Sequence, residues 1–106
     1  KQAAQALSDF NSAITMDSKM ATAYFHRGNV QHANGQTAAA IADYTQAITL
    51  GLKEPALFNN RGKAYSDTEN YPAAITDFNE AINRNPQYAE AHQNRGNAYY
   101  KSKKFD

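Results

Sequence analysis

The chain has 106 residues, of which 42% are hydrophobic, a formal net charge of +1 and no cysteine. This charge argues against a generic nucleic-acid or membrane-surface binder, which needs a concentrated basic face. No apolar run approaches the roughly 20 residues of a membrane-spanning helix, and without cysteine neither the redox compartment nor the localisation follows from the sequence.

The first element, residues 1–20, predicts one helix. Its apolar stripe consists of Ala6, Phe10, Ala13 and Ile14. These positions are i, i+4, i+7 and i+8, which lie on one face of a helix with 3.6 residues per turn.

Residues 21–54 predict a helical pair, Ala21–Ala33 and Ala38–Leu50. The turn between them is marked by Asn34 and Gly35, because glycine adopts a left-handed helix cap at little cost. Thr37 is the predicted N-cap of the second helix.

Residues 55–88 predict a second pair, Pro55–Asp67 and Pro72–Asn83, in which each helix begins at a proline. Proline is favoured at the first helical position because its missing N–H has no partner there. Residues 89–106 add a last helix, Tyr88–Ser102, so that six helices and no strands are expected.

The elements repeat with a period of 34 residues. One column is aromatic, a second is glycine, and two more are alanine. Their members are Phe10, Tyr44 and Phe78; Gly28, Gly62 and Gly96; Ala6, Ala40 and Ala74; and Ala13, Ala47 and Ala81. A fixed period with matched residue types indicates a repeat array.

With this period, these columns and Pro86, the chain resembles tetratricopeptide (TPR) repeats, a family of 34-residue helix–turn–helix units. The resemblance implies an all-α, right-handed TPR solenoid of six antiparallel helices, about three repeats. Residues 1–106 would form a single array: a partial repeat at 1–20, full repeats at 21–54 and 55–88, and a partial repeat at 89–106. Gln31 stands where other repeats have Tyr65 and Tyr99, which predicts looser packing there.

Three glycines inside helices predict close approach by a neighbouring helix, because each costs about 1 kcal/mol relative to alanine. Large aromatic side chains would then fill the gaps between repeats. We expect core packing rather than a ligand cage from Tyr24, Tyr44, Phe58, Tyr65, Phe78 and Tyr99.

Two charged columns keep the same period: Asp9, Asp43 and Asp77, and Arg27, Arg61 and Arg95. We expect structural ion pairs; the alternative is an arginine row that binds an acidic ligand. One pairing joins Asp9 to Arg27, Asp43 to Arg61 and Asp77 to Arg95. The other joins Arg27 to Asp43 and Arg61 to Asp77. We expect the first, because it gives all three aspartates a partner.

In TPR arrays the first helix of each repeat lines a concave groove, so the resemblance implies a groove rich in amides. Its predicted residues are His26, Asn29, Asn59, Asn60, Lys63, Gln93, Asn94 and Asn97. An amide offers both a donor and an acceptor, which suits the backbone of an extended peptide. The alternative is that these amides only keep an exposed face soluble.

Some TPR domains grip the C-terminal carboxylate of chaperones with lysines, asparagines and an arginine. Asn29 and Asn60 match the asparagines, but Phe25, Glu90 and Asn94 stand at the three basic positions. Chaperone-tail binding by that arrangement is therefore not expected.

Catalytic, metal and cofactor sites are not expected either. His26, His32 and His92 occupy different helical positions, with no spacing of Cys, Asp or Glu that would complete a metal site. No glycine-rich loop follows a strand, as a phosphate site requires.

The sequence thus predicts a non-enzymatic scaffold that binds an extended peptide or a partner helix in the groove. The alternatives are a structural spacer and a non-catalytic regulatory segment of a larger enzyme. The chain also begins and ends in mid-repeat, and a targeting segment could precede it. Two uncovered faces are expected, Leu7, Phe10 and Ile14 on the first helix and Tyr99, Tyr100 and Phe105 on the last. Head-to-tail self-association through them is a further expectation.

Overall fold

The computed structural model describes residues 2–105, with side chains up to Lys103. Within them the backbone forms six α-helices and no strand, so the predicted all-α fold class is confirmed. The helices are α1 Gln2–Met16, α2 Ala21–Ala33, α3 Thr37–Thr49, α4 Pro55–Asp67, α5 Tyr71–Arg84 and α6 Ala89–Phe105. The predicted side-chain role of Phe105 lies outside the described residues.

The chain divides into two compact units, Lys1–Leu52 and Lys53–Asp106, which we call unit 1 and unit 2. In unit 1, α2 packs against both α1 and α3. In unit 2, α5 packs against both α4 and α6, and α4 also contacts α6. The predicted repeat boundaries at 20, 54 and 88 stay a prediction.

The turns within the two complete helical pairs use the left-handed backbone region in different ways. Gly35 has a φ of 82° between α2 and α3, as the Asn34-Gly35 signal predicts. In the α4–α5 turn the same conformation falls on Glu69, with a φ of 63°. The predicted N-cap Thr37 is wrong by one position: α3 begins at Thr37, and Gln36 precedes it without a side-chain cap.

Close approach of helices explains two of the three glycines. A Cβ built on Gly28 would lie 2.8 Å from Tyr44 Cε1, and one on Gly62 would lie 2.6 Å from Phe78 Cε1. Both distances are shorter than side-chain carbons tolerate. Each glycine therefore lets an aromatic ring of the second helix lie directly on the first helix of its pair.

The core of each pair is built from these rings and from alanines. Tyr44 and Phe78 are each 1% exposed, and the flanking alanines of α3 and α5 are fully buried. Small residues beside a large ring allow helices to pack closely without voids. The expectation that Tyr99 packs in the core is wrong: it is 55% exposed, because α6 meets α5 through a different face, which carries Ala98.

Candidate functional site

Two arginines of the periodic column hold aspartates of the next helix. Arg27 donates from Nε and Nη2 to the two carboxylate oxygens of Asp43 at 2.6 and 2.8 Å. Arg61 holds Asp77 in the same way, with both distances at 2.8 Å. These are the pairings within one helical pair, so the expected Asp9–Arg27, Asp43–Arg61 and Asp77–Arg95 set is wrong.

Hairpin geometry is compatible with both sets, and the observed hydrogen bonds decide between them. The partners are 16 residues apart, and the midpoint of that separation is Gly35 in one pair and Glu69 in the other. Residues equidistant from a turn lie opposite each other on antiparallel helices. The 18-residue separations are also centred on turns, at Ser18, Leu52 and Pro86, so spacing alone does not exclude them.

A second arginine contact was not predicted. Arg27 Nη1 donates to Asn11 Oδ1 at 2.8 Å, and Arg95 Nη1 donates to Asn79 Oδ1 at 2.7 Å. Each of these amides again lies 16 residues from its arginine, but on the preceding helix. The arginine column therefore joins a helix to the one before it as well as to the one after it. Asn11 and Asn79 are separated by twice the 34-residue period, and this spacing in the sequence could have indicated the contact.

The ionisation of the pairs supports a structural role. Burial raises the pKa of Asp77 above its ordinary value, while the hydrogen bonds and charge of Arg61 oppose that rise. The hydrogen bonds that Arg61 donates to Asp77 in turn raise the pKa of Arg61, so the guanidinium stays charged. Because Arg27 and Arg61 each direct two nitrogens at an aspartate, the arrangement supports structural ion pairs over an arginine row for an acidic ligand.

Gln31 takes part in the same network in unit 1. With its amide nitrogen turned towards α3, it donates to Asp43 Oδ2 at 2.9 Å and to the carbonyl of Ala39 at 3.1 Å. The position that holds a tyrosine in α4 is thus filled by a hydrogen-bonding side chain. Polar contacts replace the apolar packing of the aromatic ring.

In unit 2, polar side chains lie on one face of α6, at i, i+3, i+4 and i+7, and at i and i+3 on α4, and we call this set the amide surface. It consists of Asn60, Lys63, Glu90, Gln93, Asn94 and Asn97. Lys63 Nζ lies 3.1 Å from Glu90 Oε2, and this ion pair links the two helices. The side chains of Gln93 and Asn97 are exposed. The surface therefore combines a fixed ion pair with amides that face solvent.

Asn59 does not line this surface. The residue is fully buried, and its Oδ1 accepts a hydrogen bond from Asn94 Nδ2 at 3.1 Å. The prediction that Asn59 offers its amide to a peptide is therefore wrong, because its place on α4 faces the interior rather than solvent. Its Nδ2 has no hydrogen-bond partner within the described part of the chain.

The carboxylate of Glu90 accepts a hydrogen bond from Lys63 Nζ. This hydrogen bond lowers the pKa of Glu90, and burial of the carboxylate opposes the shift. Glu90 is therefore ionised at neutral pH. Its negative charge therefore stands where the chaperone-binding TPR pattern described above has a lysine.

In unit 1 the predicted groove residues have a different setting. The exposed ring of His26 stacks on Phe10 and on the buried ring of Phe25, with centroids 5.8 and 5.4 Å apart. Asn29 Oδ1 accepts a hydrogen bond from the Tyr44 hydroxyl at 2.7 Å. Burial raises the pKa of Tyr44 to about 12, and the charge of Asp43 adds to the rise, so this hydroxyl stays protonated and donates.

Within residues 2–103, no three histidine, cysteine or acidic side chains come together as metal ligands would. None of the helices in the described part of the chain combines the length and hydropathy that crossing a bilayer requires.

Comparison with known families adds to this geometry. A family model described as tetratricopeptide repeat matches residues 2–55, just over half of the chain. A second, described as TPR repeat, matches residues 67–103. A search of curated proteins gives no match.

Several solved structures share the fold. The TPR domain of Arabidopsis OM64 is 25% identical with a TM-score of 0.90, and the match covers 95% of this chain and 84% of that one. The first TPR of Spaghetti (RPAP3), bound to the HSP90 peptide SRMEEVD, is 16% identical with a TM-score of 0.91, covering 94% and 79%. MamA is 20% identical with a TM-score of 0.87; the match covers 91% of this chain but only 56% of MamA.

Proposed function

This chain belongs to the tetratricopeptide repeat family, and from that premise we propose that it is a binding scaffold whose unit 2 takes an extended peptide along the amide surface. In this proposal the partner is a protein, no cofactor takes part and the chain catalyses no reaction. The peptide backbone supplies N–H and C=O groups, and the exposed amides of α6 supply the complementary acceptors and donors.

The observation that carries the proposal is the bond between Asn94 and the buried Asn59. It fixes the side chain of Asn94 in one orientation before any ligand arrives. A side chain that is already ordered loses less conformational entropy on binding, which favours affinity. The solved Spaghetti TPR with its HSP90 peptide supports peptide binding by this fold.

The composition of the amide surface also indicates what kind of recognition to expect. Neutral hydrogen bonds contribute about 0.5–1.5 kcal/mol each, whereas ordering a peptide costs about 1–2 kcal/mol per residue. Contacts with Gln93, Asn94 and Asn97 alone therefore give weak binding that depends little on peptide sequence. Selectivity would come from the ion pair of Lys63 and Glu90, which a charged peptide side chain can contact.

A selection experiment tests the proposal. A library of random peptides displayed on phage is selected against the immobilised chain, and the enriched peptides are titrated by NMR into ¹⁵N-labelled protein. We expect shift changes at Gln93, Asn94 and Asn97. The double variant Gln93→Ala/Asn97→Ala should weaken binding at least several-fold, because it removes two exposed amides without disturbing a described contact.

Gln87→Ala is the matched control, since it removes an exposed amide in the turn between α5 and α6. It should leave binding unchanged. A selection that enriches nothing, or peptides whose shift changes fall on α5 alone, would support the spacer function instead.

A further inference from the structure

The hydrogen bond between Asn94 and Asn59 has a direction. Asn94 Nδ2 donates to Asn59 Oδ1 at 3.1 Å, so the nitrogen end of the Asn94 amide is directed at α4. An amide side chain carries its donors on the nitrogen and its acceptor on the oxygen, so its two ends bind different groups. The orientation of Asn94 therefore decides which group of a ligand it can meet.

A neighbouring charge accounts for this direction. Glu90 lies four residues before Asn94 on α6, about one helical turn away, so the two side chains are neighbours on the same face. The ionised carboxylate of Glu90 offers only acceptors. It attracts the nitrogen end of the Asn94 amide and repels the oxygen end, which disfavours the reversed orientation.

The oxygen end of Asn94 is left for a ligand. No hydrogen bond among residues 2–103 uses Asn94 Oδ1. Within the same residues, Asn59 Nδ2 is the one buried side-chain nitrogen or oxygen that lacks a hydrogen-bond partner. Asn94 Oδ1 has no partner either and is not in that buried class, so it is accessible to solvent. Asn94 thus presents an acceptor on the amide surface.

We propose that Asn59 sets the polarity of Asn94, so that Asn94 meets a bound peptide through its oxygen and accepts a hydrogen bond from one backbone N–H. This inference rests on the proposed function, because its ligand is a peptide on the amide surface. Asn59 is then a positioning residue that stays buried beneath the peptide, and Asn94 is the residue that contacts it.

This polarity gives the amide surface a selectivity that free amides lack. Gln93 and Asn97 are exposed, and each can rotate to meet either an N–H or a C=O group of the peptide. Asn94 accepts only. A peptide must therefore place a residue with a free N–H at Asn94. Proline has no N–H, so we expect enriched peptides to exclude proline at one position.

Ester substitution of the peptide backbone tests the inference. In each enriched peptide, every backbone N–H is replaced in turn by an ester oxygen, which removes one donor and keeps the shape of the chain. Calorimetric titration should find a position at which the ester weakens binding about two- to tenfold. This penalty should vanish in the Asn94→Ala variant, because a double-mutant cycle isolates a direct contact.

Asn94→Asp separates the two ends of the amide. It keeps an oxygen for the peptide N–H and removes the NH2 group, and Asn59 can then turn its unpaired Nδ2 towards the new carboxylate. We expect the affinity for the peptide to be kept or increased. Gln87→Glu is the matched control, because it adds the same charge in the exposed turn before α6 and should leave binding unchanged.

Asn59→Leu tests the positioning role. It removes the partner of Asn94 with a side chain of similar volume, so Asn94 regains its freedom to rotate. Both the affinity for the parent peptide and the ester penalty at Asn94 should fall. A role of Asn59 in folding alone would lower stability and leave the ester penalty unchanged. Circular dichroism of each variant shows whether its helices are intact, and the Asn94 variants test the polarity without altering the buried residue.

The outcomes separate this inference from the proposed function. A selection that enriches no peptide overturns both. Peptides that bind wild type without an ester penalty that depends on Asn94 overturn the polarity of Asn94 and leave peptide binding intact. Loss of binding in Asn94→Asp would have the same meaning, because it would show that Asn94 meets the peptide through its nitrogen.

Discussion

Arg61 holds both carboxylate oxygens of Asp77, 16 residues further along the chain, across the interface between α4 and α5. The side chain of Asp77 is only 4% exposed and that of Arg61 is 19% exposed, so the pair is largely removed from water. Loss of one member would therefore leave the other charge partly buried and without a partner, which costs more than breaking an ion pair on the surface.

Removal of one member should cost much more than removal of both. Asp77→Ala strands a partly buried guanidinium, and we expect it to lower the free energy of unfolding by about 3 kcal/mol. The double variant Arg61→Met/Asp77→Leu leaves no buried charge and should lose less. Urea unfolding measures both values.

Glu80→Gln is the matched control for that experiment, because it breaks the exposed pair of Glu80 and Arg84 on one helix. We expect a loss of about 0.3–0.5 kcal/mol. An Asp77→Ala variant that loses no more than this would show that burial adds nothing to the pair.

The glycine column offers a comparison between equivalent positions. Gly62→Ala forces a methyl group against the buried Phe78 ring, and we expect it to destabilise the chain by about 1–3 kcal/mol. Gly96→Ala meets no described atom within 4 Å and should stabilise α6 by up to about 1 kcal/mol, because alanine is the better helix former. Thermal unfolding of the two variants should therefore shift in opposite directions.

The ion pair of Lys63 and Glu90 predicts that the stability of the fold depends on pH. The pKa of folded Glu90 lies below the ordinary 4.5, so its ionised form is favoured by the folded state. The stability that it contributes is present above pH 4.5 and is lost as the pH falls through the folded pKa. Wild type should unfold at a higher temperature than Glu90→Gln at neutral pH, with the difference vanishing in acid.

Asn97→Ala, which changes an exposed side chain of α6 that carries no titratable group, serves as the control for this titration. Its difference from wild type should be the same at every pH. A constant offset between Glu90→Gln and wild type at every pH would contradict the assignment to ionisation.

The amides of α6 should separate into two classes in stability measurements. Asn94→Ala leaves the buried carbonyl oxygen of Asn59 without its donor, and we expect a loss of about 1–3 kcal/mol. Asn97→Ala removes an exposed amide and should stay within about 0.5 kcal/mol of wild type. Guanidinium unfolding measures both losses. Equal losses would indicate that the hydrogen bond from Asn94 to Asn59 adds nothing to stability.

The sequence predicted the fold well because the period constrains every element at once. The bounds of α2 and α4 agree with the prediction, and the other helix ends differ by at most a few residues. The close contacts of Gly28 and Gly62 were also expected from the cost of glycine in a helix, and both are confirmed. Gly96 shares their column, but it has no partner among the described residues.

The candidate site was harder to predict, for a geometric reason. Separations of 16 and 18 residues fit the same columns and both are centred on turns, so the sequence does not show that Arg61 meets Asp77 rather than Asp43. Asn59 and Asn60 are adjacent in sequence, and helical rotation of about 100° per residue buries the first and leaves the second half-buried. Side-chain chemistry alone does not distinguish them.

Glu69 occupies the left-handed conformation that the first unit assigns to Gly35. An L-residue with a side chain costs about 1–2 kcal/mol more than glycine in this conformation. A single substitution at Glu69 could therefore raise the stability of the chain. Replacement of this exposed residue by glycine would relieve the turn while leaving the amide surface untouched.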